Sequence, residues 1–429
     1  MAIKGARYVT KFYVDIKNIG PLHIGEGEDS ILIDKDSNKA LMPGTSIAGA
    51  LKAYVRETFS ESIANKIFGS ESSDSKLYVY DSISDKVTFE QRPSLKINPS
   101  MESNFKGHKF DRYYIGPGQH FTLTLKLMAS SISEKEEACE ILLNCFKAIH
   151  EKQIVFGGYK TSGAGQFEVK KVSYAEFDLH SADGLFKYLR GVEDKVDITS
   201  KVYSIELKEA FADLELICSS ISPILIKGQS SLDSDEPDEE NIKNSENKFI
   251  IPGSSIKGVL RAHCRRILNY FGQENLLTEI FGSESDVKDN KVHGRFYSSD
   301  AIIDNEKCNK MYFRIKINKF TGGVINGALV KSKPVEGEIS FKFKYKLSGD
   351  ETKDDSVVAL LILALRDIAT GDVPIGSGSS VGRGRVCGST INLKYKGQKV
   401  TIDMKNKQIE NQKLLDKLIE ELNKKKAIV

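Results

Sequence analysis

The sequence predicts an α+β protein made of two tandem copies of one ferredoxin-like (RRM-like, βαββαβ) domain, each carrying an inserted β-hairpin. Two observations predict it. Landmarks in the first half recur in the second half in the same order, and the strand and helix periodicities follow one another alike in both halves.

The repeat begins with Pro43-Gly44-Thr45-Ser46-Ile47-Ala48-Gly49, which returns as Pro252-Gly253-Ser254-Ser255-Ile256-Lys257-Gly258. Ile67-Phe68-Gly69-Ser70 returns as Ile280-Phe281-Gly282-Ser283, and Tyr80-Asp81-Ser82-Ile83 matches Ser299-Asp300-Ala301-Ile302. Leu95-Lys96-Ile97-Asn98 matches Ile315-Lys316-Ile317-Asn318. Gly157, Gly163 and Gly165 match Gly376, Gly382 and Gly384. A spacing of more than two hundred residues is far too long for a solenoid repeat, so this is a duplicated domain. The sequence places copy one at residues 1–175, a linker at 176–202, copy two at 203–393 and a tail at 394–429.

Each copy opens with an alternating run, Tyr8 to Ile19 and Phe211 to Ile217, as a half-buried strand does. After Pro-Gly, Ile47, Leu51, Tyr54, Val55 and Phe59 recur at helical spacing, as do Ile256, Val259, Leu260, His263 and Ile267. Ser46 and Ser255 stand where an N-cap hydroxyl would. Alternating strands follow at Phe121–Leu127 and Ile339–Leu347, then helices at Lys135–Lys152 and Asp355–Thr370. Each copy closes with a Gly-rich loop and a last strand, Gln166–Val172 and Arg385–Leu393. This order is the split βαβ pattern. Long inserts remain at 86–118 and 304–336. In the tail, Leu414, Leu415, Leu418, Ile419 and Leu422 mark one face of a lysine-rich helix.

Composition excludes several classes. No apolar run is long enough to span a membrane, and the N-terminus lacks an apolar signal core. The cysteines form no C-x-x-C pair, so reduced thiols in a cytoplasmic protein are expected rather than a zinc or disulfide framework. A net charge of +3 is small, so any nucleic-acid affinity has to come from local patches.

Three polar features recur. Lys52 and Arg56 lie four apart behind the first Pro-Gly helix N-terminus. Arg261 and Arg265 take the matching places, joined by Lys257 where copy one has Ala48. A cationic stripe behind a helix N-terminus suits a phosphate backbone, although a solvated face reads the same way. The second feature is the Gly-rich loop, with Gly157, Gly158, Lys160 and Gly163 in copy one and Gly376, Gly378, Gly382, Arg383 and Arg385 in copy two. Glycines allow close approach of backbone amides to a phosphate, while a plain turn is the bland alternative. The third is an acid after the first strand: Asp29 in copy one, and Asp233 in copy two, followed by Asp235 and Asp238 in an acidic insert. Loop carboxylates are usually solvated turn formers, but one beside RNA orients a 2′-hydroxyl or holds a divalent cation. His23, His120 and His150 fall opposite Ile226, Ile339 and Ala369, so no His-based chemistry is repeated.

The loop His23-Ile24-Gly25-Glu26-Gly27-Glu28-Asp29, the Pro-Gly helix, the Ile-Phe-Gly-Ser step and the closing Gly-x-Gly loop together resemble the RAMP-type backbone subunits of type III CRISPR effector complexes. The combination is specific, although each motif alone is not. The resemblance implies two RAMP domains fused in one chain, with the inserts 86–118 and 304–336 forming thumb hairpins. It implies CRISPR guide RNA, complementary target RNA and other subunits of a type III complex as partners. It further implies a metal-dependent endoribonuclease, with Mg²⁺ or Mn²⁺, that cuts target RNA at regular intervals beside each thumb. Carried over by position, the acid is Asp29 in copy one and Asp233 in copy two, with Asp235 and Asp238 as alternatives; Asp29 and Asp233 are also the transient metal ligands. Ala48 in place of Lys257 implies a weaker guide contact in copy one. A catalytically silent RNA-binding scaffold, a guide-precursor processing ribonuclease and a phosphate-binding metabolic enzyme are the alternatives.

Overall fold

The structure is a computed structural model that describes residues 5–25, 30–98, 103–228, 236–283, 291–307, 310–325 and 327–424, without the side chains of 95–109. It divides into two units. One is Met1–Glu90, Tyr113–Lys160 and Ala164–Lys208; the other is Gln91–Arg112, Thr161–Gly163 and Glu209–Val429.

In the first unit the opening strand Tyr8–Asn18 lies between the closing strand Phe167–Asp178 and the third strand His120–Ala129. The short second strand Leu77–Val79 pairs with the far edge of the third. The order closing, opening, third, second is that of the ferredoxin-like sheet. Alternation sends Phe12, Val14 and Ile16 inward. They meet Ile47, Leu51 and Val55 of helix Gly44–Thr58, and Leu142, Cys145, Phe146 and Ile149 of helix Ile132–His150. Both helices therefore share one buried core with the sheet.

The second unit repeats this order. Phe211–Ser220 lies between Val386–Tyr395 and Glu336–Lys346, with Phe296–Ser298 and Ala301–Lys307 on the outer edge of the latter. Helices Gly253–Phe271 and Glu351–Ala369 cover the core. Both opening strands carry a register shift against the closing strand, at Asp15/Ile16 and at Ile217/Cys218. A bulge re-aims the strand end, and here it does so just before the loop that holds the acidic segment.

The inserts are hairpins. Phe89–Asn98 and Ser103–Ile115 form a two-stranded sheet. In copy two, Tyr312–Arg314 pairs antiparallel with Val330–Lys333, and Glu239–Glu240 joins the latter in parallel. In the tail, Gln398–Asp403 and Gln408–Glu410 extend the second sheet, and helix Gln412–Lys424 packs on helix Glu351–Ala369.

One local expectation is corrected. The helices begin at Gly44 and Gly253 with Pro43 and Pro252 as N-caps, so Ser46 and Ser255 sit inside the first turn. Proline's fixed φ and missing N–H suit a helix start, and the chain uses them three residues earlier than the serines indicated. No described helix is long and apolar enough to cross a membrane.

Candidate nucleic-acid interface

In each copy three segments meet: the loop after the opening strand, the Gly-rich loop and the base of the hairpin. Leu22 exchanges both backbone hydrogen bonds with Ile115 at 2.8 Å, as Ile224 does with Val335 at 2.8 and 2.9 Å. The Gly158 N–H donates to the His23 carbonyl at 2.7 Å, and the Ser377 N–H to that of Leu225 at 2.8 Å. The Gly165 N–H donates to Pro21, and the Gly384 N–H to Pro223. The same junction is thus built twice from backbone alone. It also re-registers the repeat, because the counterpart of His23 is Leu225 rather than Ile226. A period judged from side chains slips easily by one residue where no periodic element pins it.

The glycines are explained by this closeness. Gly157 has φ of +77° and a Cβ there would stand 2.2 Å from the His23 carbonyl oxygen; at Gly376 (φ +88°) the distance to the Leu225 oxygen would be 2.6 Å. Gly378 and Gly382 flank a short turn, both at positive φ, and Gly163 has φ of +90°. Lys160 opens the matching turn in copy one. Several of these amides are turned toward the protein's own carbonyls, which makes the loop a backbone clasp.

The Pro-Gly helix start is likewise occupied from within. Asp81 accepts from the Gly44 N–H at 2.7 Å, and Asp300 from the Gly253 N–H at 2.8 Å. Each carboxylate sits where the helix dipole is positive. The second oxygen of Asp300 takes Arg92 at 2.7 Å within the second unit. The repeat Asp81/Asp300 was visible in the sequence, but its role was not. A Cβ on Gly44 would lie 2.2 Å from the Val79 carbonyl oxygen, and one on Gly253 2.2 Å from that of Ser298. Gly44→Ala and Gly253→Ala are therefore each expected to cost about 1–3 kcal/mol. Gly49→Ala, with nothing within 4 Å, is expected to stabilise by about 0.5–1 kcal/mol. Thermal unfolding of the three variants checks the contrast.

Behind these starts the cations diverge. Lys52 donates to the Gly69 carbonyl at 2.7 Å, and exposed Arg56 stands 3.7 Å from Glu61. In copy two Lys257, Arg261 and Arg265 climb one helix face at four-residue spacing. Lys257 donates to the Thr161 hydroxyl at 2.8 Å, and burial together with the nearby Arg261 pulls its pKa down to about 8. Arg385 donates to the Gly371 carbonyl at 3.2 Å. Arg383 is only 6% exposed; it donates to the Ser332 hydroxyl at 2.9 Å and lies over the Tyr312 ring.

Asp29, Asp233 and Asp235 lie outside the described residues. Asp238 is exposed and accepts from the Lys331 N–H at 2.7 Å. Among the described residues no group of three or more His, Cys, Asp or Glu side chains stands close enough to hold a metal ion.

The RAMP superfamily model matches residues 15–168 and 217–387, one stretch in each copy. The chain belongs to the RAMP superfamily. Each RAMP match spans the opening strand to the Gly-rich loop, so the twice-built junction is a property of both RAMP domains. A solved chain of the type III-B Cmr-beta complex bound to cognate target RNA aligns at 16% identity with a TM-score of 0.32, over 39% of this RAMP protein and 61% of that chain. That overlap is too slight to carry an argument about function. No curated protein matches.

Proposed function

We propose that this RAMP protein is a guide-RNA-binding backbone subunit of a type III CRISPR effector complex, and that it cuts complementary target RNA beside its hairpins. The observation that carries this reading is the duplicated junction. Two RAMP domains in one chain each bring the start of an acidic loop, a Gly-rich loop and a hairpin base together, as a subunit acting at regular intervals along one RNA requires. The Lys257, Arg261 and Arg265 face supplies phosphate-binding charge that the small net charge does not.

In this reading the hairpin splays the target so that a 2′-hydroxyl lies in line with the adjacent phosphorus; its oxygen bonds to phosphorus as the P–O5′ bond breaks, leaving a 2′,3′-cyclic phosphate and a 5′-oxygen that takes a proton from water. Positioning of that kind supplies much of a rate enhancement. Asp29 accepts the hydroxyl's proton or orients it, with Asp233 as the candidate in copy two. Asp29 and Asp233 are the residues that would hold a divalent ion, which would supply charge to stabilise the scissile phosphate. Dependence on Mg²⁺ or Mn²⁺ is part of the proposal and is decided by chelation. A guide-precursor processing enzyme is a poorer fit, because His23 at the copy-one junction has Leu225 as its counterpart in copy two.

The test is the assembled complex with guide and labelled complementary RNA, with Mg²⁺ or EDTA. Regularly spaced cuts that EDTA abolishes support the proposal. Guide and target bound without any cut leave a silent scaffold. A chain that binds nucleotides but no RNA would point to a metabolic enzyme.

Guide binding is also expected to depend on pH. The lowered pKa of Lys257 means its charged form is disfavoured by burial, and a phosphate contact would favour it again. Affinity should be full below pH about 8 and fall above it, by up to about tenfold per unit. Lys257→Arg, which stays charged, should flatten this profile between pH 7 and 9.5 in a filter-binding titration. Identical profiles would remove Lys257 from the interface.

A further inference from the structure

The two RAMP domains fasten the same junction with different side chains. In copy one the space is filled by rings. His23 lies 5.0 Å from Tyr159 and 5.8 Å from Tyr114, those two tyrosines are 6.0 Å apart, and His23 Nδ1 is 2.8 Å from the Tyr113 carbonyl oxygen. In copy two the place of Ala164, just before the Gly165–Phe156 bond, is taken by Arg383, just before the matching Gly384–Ile375 bond.

The backbone ladder pairs the two ends of this loop alike in both copies. Gly25 bridges Ile31, and Lys227 bridges Asn241. The Leu32 N–H donates to Ile24 at 2.8 Å, and the Ile242 N–H to Ile226 at the same distance. Ile31 and Asn241 are therefore equivalent. Asp29 lies two residues before Ile31, and Glu239 lies two residues before Asn241. Counting forward from the glycine, which led to Asp233, lands inside the insert that lengthens this loop in copy two.

Glu239 is fully engaged. Its Oε1 takes Lys227 at 2.5 Å and its Oε2 takes Arg314 at 2.8 Å, with its side chain 14% exposed. Its backbone pairs with Ser332, the residue whose hydroxyl receives Arg383. Lys227 comes from the opening loop, Arg314 and Ser332 from the hairpin base, and Arg383 from the Gly-rich loop. The cluster carries three cations, and buried N–H groups of Arg314 (Nε) and Arg383 (Nη1) find no acceptor among the described residues. Glu239 is the carboxylate these described contacts place between them, and removing its charge would leave like charges packed together.

We infer that Glu239 is a positioning residue. It clamps the base of the second hairpin to the opening loop and thereby seats Arg383, so the residue that matches Asp29 when counted back from the shared pair serves in copy two to hold rather than to cut. The functional half of this statement rests on the proposed RNA-guided activity; the clamp itself does not.

The experiment uses the full chain and compares wild type, Glu239→Gln, Glu239→Asp and the charge swap Glu239→Lys with Arg314→Glu. Hydrogen exchange without RNA is read at Tyr312–Arg314, Val330–Lys333 and, as control, Ser103–Ile115. Glu239→Gln should speed exchange at the first two by roughly tenfold and leave the third unchanged, and the swap should restore part of the protection, since it renews the 239–314 pair but not the pair with Lys227. Glu239→Asp gives a milder form of the same effect should the Gln variant fold poorly. In the assembled complex the cut map should survive Glu239→Gln, or return with the swap. Unchanged exchange overturns the clamp. A cut lost from Glu239→Gln without faster exchange makes Glu239 a catalytic residue and overturns the inference. If the wild-type complex neither binds nor cuts RNA, the proposed function fails while exchange still judges the clamp.

Discussion

Asp29→Ala in the assembled complex is expected to erase one target cut, lowering its rate by roughly 100-fold or more, while guide and target stay bound. The size follows from the role. A group that positions or deprotonates the attacking 2′-hydroxyl acts on the transition state, whereas the phosphate contacts proposed to hold RNA lie on the Pro-Gly helix face. Binding and cutting should therefore separate. Asp29→Asn should lose the cut nearly as fully, since it keeps the shape but not the basicity. Product mapping on a sequencing gel reads both variants beside Asp233→Ala. If every cut survives Asp29→Ala with its rate unchanged, Asp29 has no catalytic role. If cutting and guide binding fall together, the residue holds the loop instead.

Removal of residues 412–429 is expected to open the second RAMP domain. Leu415, Leu418 and Leu422 are 5%, 0% and 1% exposed and belong to the same core as Leu361 and Leu365. The docking is also polar. Asp355, 2% exposed, takes the Tyr395 hydroxyl at 2.7 Å and Lys396 at 2.9 Å, with Lys417 of the tail helix at 3.5 Å. Cutting the tail away would expose an apolar face of helix Glu351–Ala369 and strip one cation from a buried carboxylate. Leu418→Ala alone should cost about 2–4 kcal/mol, and the half-exposed Ile409→Ala less than about 0.5 kcal/mol. Urea unfolding followed at the second domain distinguishes them. Equal midpoints for Leu418→Ala and wild type would show that the tail is an appendage.

The histories of individual residues show where sequence reasoning works. The alternation from Tyr8 and from Phe211, and the helical spacing from Ile47 and from Ile256, are relations between near neighbours in the chain. They were legible because local geometry alone imposes them. The duplication was legible because the landmarks keep their order, and the two hairpins fall within the inserts at 86–118 and 304–336.

What a polar side chain meets was another matter. Asp81 and Asp300 were plain as a repeated landmark. That they close the starts of the Pro-Gly helices emerged only when the sheet brought residue 81 beside residue 44, and 300 beside 253. Arg383 reads in sequence as an exposed cation in a glycine loop. Packing buried it against Ser332 and Tyr312. The tail's leucines announced a helix but not the partner that covers them. The equivalence of Ile31 with Asn241 was hidden by an insert, because counting along a loop of changed length has no fixed origin, while the hydrogen-bonded pair at its end supplies one.

The sequence by itself therefore determined the class of fold, its duplication, and which segments carry glycine, acid and cation. The tertiary structure alone decided the register of the pairs that flank the acidic loops, which cations are bound internally, and which glycines are needed for backbone contact. The physical reason is range. Periodicity and turn chemistry act over a few residues. The partner of a charge is chosen by strand pairing and burial between segments tens to hundreds of residues apart, where no local pattern records the outcome.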